Sequence, residues 1–228
     1  YCPGDATGDI HKFTTGLAKA SEKYGVKYLF GMEVSDVQHH AKGVTVLYHA
    51  SNENVLLNTA TVESLEADAI VVCAGVESYH LANLLGDRVN IYPVKGYSIT
   101  LNLNDQDSVK HAPWVSLLDE SAKIVTSRLG ADRLRVAGTA EFNGYNLDIR
   151  ADRIQPLTDW VNKNFSISTE NVVPWAGLRP MMPNMMPTVR RGKRERVFYN
   201  TGHGHLGWTL SAATAVMISQ EVASQHPI

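Results

Sequence analysis

The stretch Ala67-Asp68-Ala69-Ile70-Val71-Val72-Cys73-Ala74-Gly75 decides the fold class. Its small and apolar residues run together without the alternation of a half-exposed strand. That pattern reads as a strand buried on both faces, the habit of a parallel sheet. On this reading Cys73 is a small core residue. The run ends in Ala74-Gly75, where little side-chain bulk lets another group approach the backbone. Residues 77–85 then read as a helix, with Tyr79, Leu81, Leu84 and Leu85 apolar.

Toward the start of the chain, Phe13, Leu17, Ala20 and Tyr24 recur at helical spacing and predict a helix over residues 10–24, capped by Asp9 or Thr7 and stopped by Gly25. Residues 26–30, 33–37, 44–49 and 55–64 read as strands, with a hairpin loop at 50–54. From Ile91 to Ala140 the pattern changes to alternation, clearest in Tyr97-Ser98-Ile99-Thr100-Leu101-Asn102-Leu103 and present in parts of 114–118, 123–129 and 133–138. These are antiparallel strands with one solvated face. A helix over 151–164 puts Ile154, Leu157, Trp160 and Val161 on one side, an irregular Pro- and Met-rich stretch covers 174–187, and a strand at 196–201 leads to a helix over 208–223. The chain thus reads as α/β with an α+β insert, its first and last thirds sharing a sheet.

With 228 residues, a 44% hydrophobic fraction and a net charge of −2, the chain has the composition of an ordinary globular protein and no sign of a nucleic-acid surface. The one basic run, Arg190-Arg191-Gly192-Lys193-Arg194, reads as a solvated turn. No apolar run reaches the ~18 residues of a membrane span. Cys2 and Cys73 make no metal-ligand spacing, which suits a reducing compartment. Tyr1-Cys2-Pro3-Gly4-Asp5-Ala6-Thr7-Gly8-Asp9 has neither an initiator Met nor a signal-peptide core, and reads as a loop inside a longer chain.

Near the end, Gly202-His203-Gly204-His205-Leu206-Gly207 fits G-x-G-x-x-G. A pyrophosphate cradle of that kind needs a preceding strand, a following helix and a second strand. The first two are present; the tail after the helix has no strand character. The match is therefore read as a glycine-rich helix start, whose bare N–H groups favour negative charge. His203 and His205 lack the further ligands a metal would need.

Four segments in order carry a resemblance: residues 68–75; Pro93-Val94-Lys95-Gly96-Tyr97-Ser98; Trp175-Ala176-Gly177-Leu178-Arg179-Pro180; and Asn200 through Thr209. Together they resemble the D-amino-acid oxidase superfamily of FAD-dependent oxidoreductases, and within it the branch of bacterial D-amino-acid dehydrogenases. The resemblance implies a partial FAD-binding, Rossmann-like domain (residues 1–90 and 188–228) and an antiparallel, β-rich substrate-binding domain (91–187). It implies FAD as cofactor, a D-amino acid as substrate, and hydride transfer to the flavin, giving a 2-oxo acid and ammonia. A quinone or other electron acceptor would follow, with a cytoplasmic location peripheral to the inner face of the bacterial inner membrane. The family's opening strand, G-x-G-x-x-G turn and helix are absent from this sequence: either they lie upstream in the natural protein, or the chain is a truncated or split form.

Residue by residue, the resemblance assigns Arg179 to the substrate carboxylate, as a planar guanidinium suits a bidentate clamp. Tyr97 and Tyr145 become candidates for a substrate lid, and Gly96 with Tyr97, at the entry to the antiparallel insert, for a place facing the flavin or the substrate. Val34, Ala74, Gly75, Gly177, Gly202, His203, Gly204, His205, Leu206 and Gly207 become candidates for holding FAD, the last six at the flavin ring. Met181, Met182, Met185 and Met186 read as adaptable packing around a pocket. Two other readings stay open: a glycine- or sarcosine-type amine oxidase using oxygen, and a silent, truncated binding module.

Overall fold

The structure is a computed structural model that describes residues 2–51 and 61–225. Its elements are α1 (Ile10–Glu22), β1 (Met32–His40), β2 (Gly43–Ala50), β3 (Glu63–Ala67), β4 (Ile70–Val72), α2 (Ser78–Leu84), β5 (Tyr92–Asn102), α3 (Gln106–His111), β6 (Leu118–Asp119), β7 (Ile124–Arg128), β8 (Arg133–Glu141), α4 (Ala151–Asn164), β9 (Val173–Met181), β10 (Thr188–Arg191), β11 (Val197–Thr201) and α5 (Gly207–Gln225). The chain divides into two compact units. The first holds the residues up to Ala20 and Pro93–Leu178; the second holds Ser21–Tyr92 and Arg179 onward.

The first unit is built on a five-stranded sheet of order β6-β7-β8-β5-β9. Strand period two and helix period 3.6 meet in one core. Tyr97, Ile99 and Leu101 of β5, Ile124 of β7 and Leu134 and Val136 of β8 pack with Leu157 and Val161 of α4. Gly138 of β8 belongs to this packing, since a Cβ there would lie 2.7 Å from Ile124 and 3.0 Å from Leu157. The β5–β8 register shifts between Gly96 and Tyr97. At the head of α1, Asp9 accepts the Lys12 N–H at 3.2 Å and pairs with Arg133 at 2.8 Å, so Asp9, rather than Thr7, is the cap.

The second unit contains a β1-β2-β3 antiparallel meander and a sheet of order β10-β11-β4. In the latter, β4 runs parallel to β11, with Val72 opposite Tyr199. The first and last thirds of the chain therefore share a sheet, as the sequence indicates. Val37, Val44, Val72, Ala82, Leu85, Val197 and Tyr199 form its core. The buried Asp87 accepts the Tyr199 hydroxyl at 3.0 Å and the Lys193 N–H at 3.1 Å, which ties the β10–β11 hairpin to the end of α2.

Several expectations are corrected. Residues 26–30 form no strand: Gly25 and Gly31, at φ 85° and 69°, bracket a segment without a ladder partner among the described residues, and its aromatic side chains are exposed. Residues 114–118 contribute only Leu118 to a strand. Residues 173–181 are a strand rather than an irregular stretch. Because β9 is an edge strand, Pro174 and Pro180 can sit in it without depriving a second neighbour of donors. Strand β4 is an edge strand among the described residues, with Val71 37% exposed and Cys73, beyond its end, exposed as well, so neither is a two-sided core residue here. The strand expected at 55–64 is described only from Glu63, and residues 52–60 lie outside the described chain. Arg190 and Arg191 belong to β10 rather than to a turn; Arg191 pairs with Glu221 of α5.

Candidate functional site

The parallel pairing of β4 with β11 brings two carboxyl strand ends side by side, the place where open α/β sheets bind ligands. The seam is closed by hydroxyls: Thr201 Oγ1 lies 2.7 Å from Ser78 Oγ and donates to the Gly75 carbonyl at 3.3 Å. Gly75 and Gly202 thus end up on neighbouring strand ends. At Gly75, whose φ is +56°, an added Cβ would meet nothing within 4 Å.

The loop from Gly202 to Leu206 turns the chain from β11 into α5. Gly202 (φ 78°) and Gly204 (φ 57°) take left-handed conformations that favour glycine. Their bare faces are covered by methionine. A Cβ at Gly202 would lie 2.7 Å from Met182 Cγ, and one at Gly204 2.8 Å from Met181 Sδ. The packing role read for these two methionines is thus visible, and the glycines are required by that contact as well as by φ. The Gly204 N–H donates to the Pro180 carbonyl at 3.0 Å, anchoring the loop to the end of β9.

His203 is part-buried, with Nε2 3.0 Å from Thr214 Oγ1 one helical stretch along α5. The Thr214 hydroxyl lies 3.1 Å from the Leu210 carbonyl. With its proton on that carbonyl, it accepts from a protonated Nε2 and leaves Nδ1 as an acceptor. Burial pulls the His203 pKa below the ordinary value, favouring the neutral ring. His205 and Leu206 are exposed. The helix itself starts at Gly207, one residue before the sequence reading placed it, and the N–H groups of its first turn have no intrahelical acceptor.

Pro180, Asn200, His203, Gly204, Gly207, Ser211 and Thr214 line an open hollow of about 280 Å³ beside this helix start. Asn200 Oδ1 is buried without a hydrogen-bond partner among the described residues. Arg179, adjoining Pro180 in the same unit, is part-buried, and none of the described residues hydrogen-bonds or ion-pairs with its guanidinium. Burial lowers its pKa from the ordinary arginine value, yet a guanidinium stays cationic at neutral pH.

The remaining candidates lie elsewhere. Val34 sits exposed on β1, at the bulge of the meander. Ala74 precedes the short 3-10 turn after β4. Gly177 lies in β9, under the Trp175 ring, which an added Cβ would strike. Gly96 is buried in β5. Tyr145 stands half-exposed in the loop after β8. Tyr97 is corrected: it is 1% exposed, packs in the core of the first unit, and donates its hydroxyl to Glu141 at 2.5 Å, so its side chain has no face left for a lid. No group of three or more His, Cys, Asp or Glu suited to a metal occurs among the described residues. No helix among them is long and apolar enough to cross a membrane. Sequence reasoning missed Asn200 and the Ser78–Thr201 clasp, although Asn200 and Thr201 directly precede the glycine run it had singled out.

Residues 1–221 match the FAD dependent oxidoreductase (DAO) family. D-amino acid dehydrogenase 3 of Mesorhizobium japonicum is 55% identical across 100% of this chain and 53% of its own length. The D-amino acid dehydrogenase of Dechloromonas aromatica is 37% identical across 100% of this chain and 52% of its own. The chain therefore spans about half the length of the curated relatives it matches. Among solved structures, glycine oxidase from Geobacillus kaustophilus aligns with a TM-score of 0.74 at 18% identity, over 93% of this chain and 53% of that one. L-proline dehydrogenase from P.horikoshii gives 0.74 at 16%, over 95% and 56%. The likeness to these structures concerns the fold. With the family match covering nearly every residue, the chain belongs to the FAD dependent oxidoreductase family.

Proposed function

We propose that the chain is the C-terminal part of an FAD-dependent dehydrogenase that oxidises D-amino acids to 2-oxo acids and ammonia. The observation that carries this reading is Arg179, a part-buried guanidinium with no protein partner among the described residues. A buried cation left unpaired costs free energy unless an anion arrives, and a planar fork takes a carboxylate through two parallel bonds. The family relationship makes an amino-acid carboxylate the natural anion.

The residues at the strand ends fit a flavin ring. Gly75 leaves open space, the first turn of α5 offers donors, and Asn200 Oδ1 remains an unmatched acceptor beside the same hollow. Bound FAD supplies the acceptor for the hydride leaving the substrate Cα. The chain's own residues do the rest. Arg179 fixes the carboxylate and so the direction of the Cα–H bond. The N–H groups at the head of α5 stabilise negative charge on the ring edge by ~1 kcal/mol or more. A neutral His203 adds no competing cation.

In this reading, residues 1–90 with 188–228 serve FAD and residues 91–187 serve substrate. Val34, Ala74, Gly177, His205 and Leu206 remain proposed cofactor contacts. The ADP half of FAD would be gripped by a strand-glycine-helix segment upstream, and the half-exposed Val71 on the free edge of β4 supports a further strand beside it. Electrons would pass to a quinone or other acceptor at the inner face of the bacterial inner membrane.

The test is the visible spectrum of the complete protein with FAD, before and after D-alanine is added without oxygen. A perturbed flavin band that bleaches supports the reading, and absence of bound flavin sinks it. Flavin that bleaches only with glycine or sarcosine, and consumes oxygen in turnover, would favour the amine-oxidase alternative that the likeness to glycine oxidase keeps in view. Flavin that no amine bleaches would leave the silent binding module.

A further inference from the structure

The basic run that begins at Arg190 has no part in the function proposed above. Its second half, together with Arg196, forms the tip of the β10–β11 hairpin, residues 192–196. The tip sits at the amino ends of β11 and β4, where the Ile70 N–H donates to the Arg196 carbonyl at 2.9 Å. The chain just beyond α2 brings Arg88 to the same place. Lys193 Nζ donates to the Gly86 carbonyl at 3.2 Å, and Arg190 Nη2 reaches the Arg88 carbonyl at 3.5 Å. The Arg194 guanidinium stands over Gly86, where an added Cβ would lie 3.6 Å from Nη2.

These cations spend their hydrogen bonds on neutral groups. Arg88 Nε donates to Asn90 Oδ1 at 2.8 Å, and Arg196 Nη1 to the Asp68 carbonyl at 3.2 Å. Among the described residues, no carboxylate forms an ion pair with Arg88, Lys193, Arg194 or Arg196. A carbonyl holds a cation in place without cancelling its charge. The buried Asp87 is already taken by the Tyr199 hydroxyl and the Lys193 N–H, and only Arg190 approaches it with a side-chain charge, at 3.9 Å. Two exposed acids, Asp68 and Glu195, lie on these segments, fewer than the cations around them.

The form of the patch narrows its partner. A hollow of about 140 Å³ opens at the tip, lined by residues 191–198, with room for a phosphate group. The apolar residues that follow, Val197, Phe198 and Tyr199, are buried. A protein interface needs an apolar or aromatic centre and avoids lysine, and this tip has no such centre. With a net charge of −2, the chain as a whole does not suit a nucleic-acid backbone. A layer of lipid phosphates asks only for clustered cations at an exposed tip.

We propose that the β10–β11 tip, with Arg88, is the surface by which the protein lies against an anionic phospholipid bilayer. This gives a face to the peripheral location proposed above, and rests on that reading for the membrane being at hand. The tip is at the opposite end of β11 from the hollow beside Asn200 and His203, ~17 Å away for five strand residues. Docking there leaves the proposed flavin end uncovered.

The test is cosedimentation of the complete protein with vesicles of phosphatidylcholine alone, and of phosphatidylcholine and phosphatidylglycerol in equal parts. Binding is expected to the mixed vesicles only, and is expected to fall as salt is raised. A cation beside an anionic surface is worth about fivefold in partition, so Arg88→Gln, Lys193→Gln and Arg194→Gln together are expected to weaken binding about a hundredfold. Thermal melting checks the fold of the triple variant, and D-alanine is expected to bleach its flavin as in the parent. Should the triple variant fail to fold, Lys193→Gln with Arg194→Gln decides, with a loss of about twenty-five-fold expected. Equal binding to both vesicles, or mixed-vesicle binding that the variants retain, would overturn the proposal. Binding to neither would overturn it too, and retention on immobilised polyglutamate would then point to an acidic protein instead. The readout does not depend on turnover. Bleaching without vesicle binding sinks this proposal alone, and charge-dependent vesicle binding without bleaching sinks the dehydrogenase reading alone.

Discussion

The two units differ in what is left for their polar groups to bind, although each keeps one buried atom unpaired among the described residues, Arg153 Nε in the first and Asn200 Oδ1 in the second. In the first, Lys95, Glu141, Tyr97 and Arg150 satisfy one another, and Arg128 spends its guanidinium on the carbonyls of Val109, Ala112, Gly130 and Ala131. In the second, the core around Asp87 and Tyr199 is equally closed, but Arg179 and, beside α5, Asn200 Oδ1 lack partners among the described residues. Proteins leave few buried polar groups unpaired, so a part-buried guanidinium without a protein partner points to something that arrives later. A polar group's neighbours, more than its identity, separate scaffold from site.

The comparison can be broken most directly at Arg179. Arg179→Ala in the complete protein is expected to lower kcat/KM for D-alanine by ~2–5 kcal/mol, with stability nearly unchanged. A loss of stability with normal kinetics would make Arg179 scaffold. The counterpart in the first unit is Leu157→Ala, fully buried between α4 and the sheet. It is expected to cost about 3 kcal/mol in chemical denaturation, while the protein that stays folded keeps its KM. A smaller cost would mean that the helix face can collapse onto the space.

Gly204→Ala is expected to act on both properties. It puts a Cβ at positive φ and against Met181 Sδ, costing roughly 1–2 kcal/mol of stability and weakening flavin binding through the displaced helix start. The flavin dissociation constant read from absorbance checks this. Unchanged binding with lowered stability would place the cofactor away from the turn.

The smallest effects concern pH, and both units lose stability toward acid for different reasons. The hydrogen bond from Tyr97, followed by Lys95 and Arg150, holds the Glu141 pKa below the usual carboxylate range. The stability tied to that shift is complete above the unfolded carboxylate pKa and is lost as pH falls through the lower folded one. His203 has its pKa depressed by burial, so the unfolded chain takes up a proton first; stability falls as pH drops from about 6.5 toward the folded pKa. Denaturation curves of His203→Gln are expected to lose the step just below pH 6.5 and to keep the one below the carboxylate range. Retention of both steps would assign the upper one to another histidine.

Much of this molecule is legible locally. The residues at helical spacing in 151–164 give α4 to the residue, and the alternation of 97–103 gives β5, because both patterns depend on neighbours a few positions apart. The glycine run announced a turn into a helix for the same reason. Arg179 was found through its resemblance to a family motif, and only the structure showed that no neighbour takes its charge.

What the sequence determined was where each element lies and which residue types it offers. The tertiary structure alone decided who stands next to whom. It moved Tyr97 from a lid candidate into a core, put methionines against Gly202 and Gly204, paired β4 with a strand far along the chain, and made β9 out of a proline-bearing stretch by seating it at a sheet edge. Periodicity reports a residue's direction from its own backbone, whereas burial, pairing and pKa depend on groups distant in sequence that only the folded chain brings into contact.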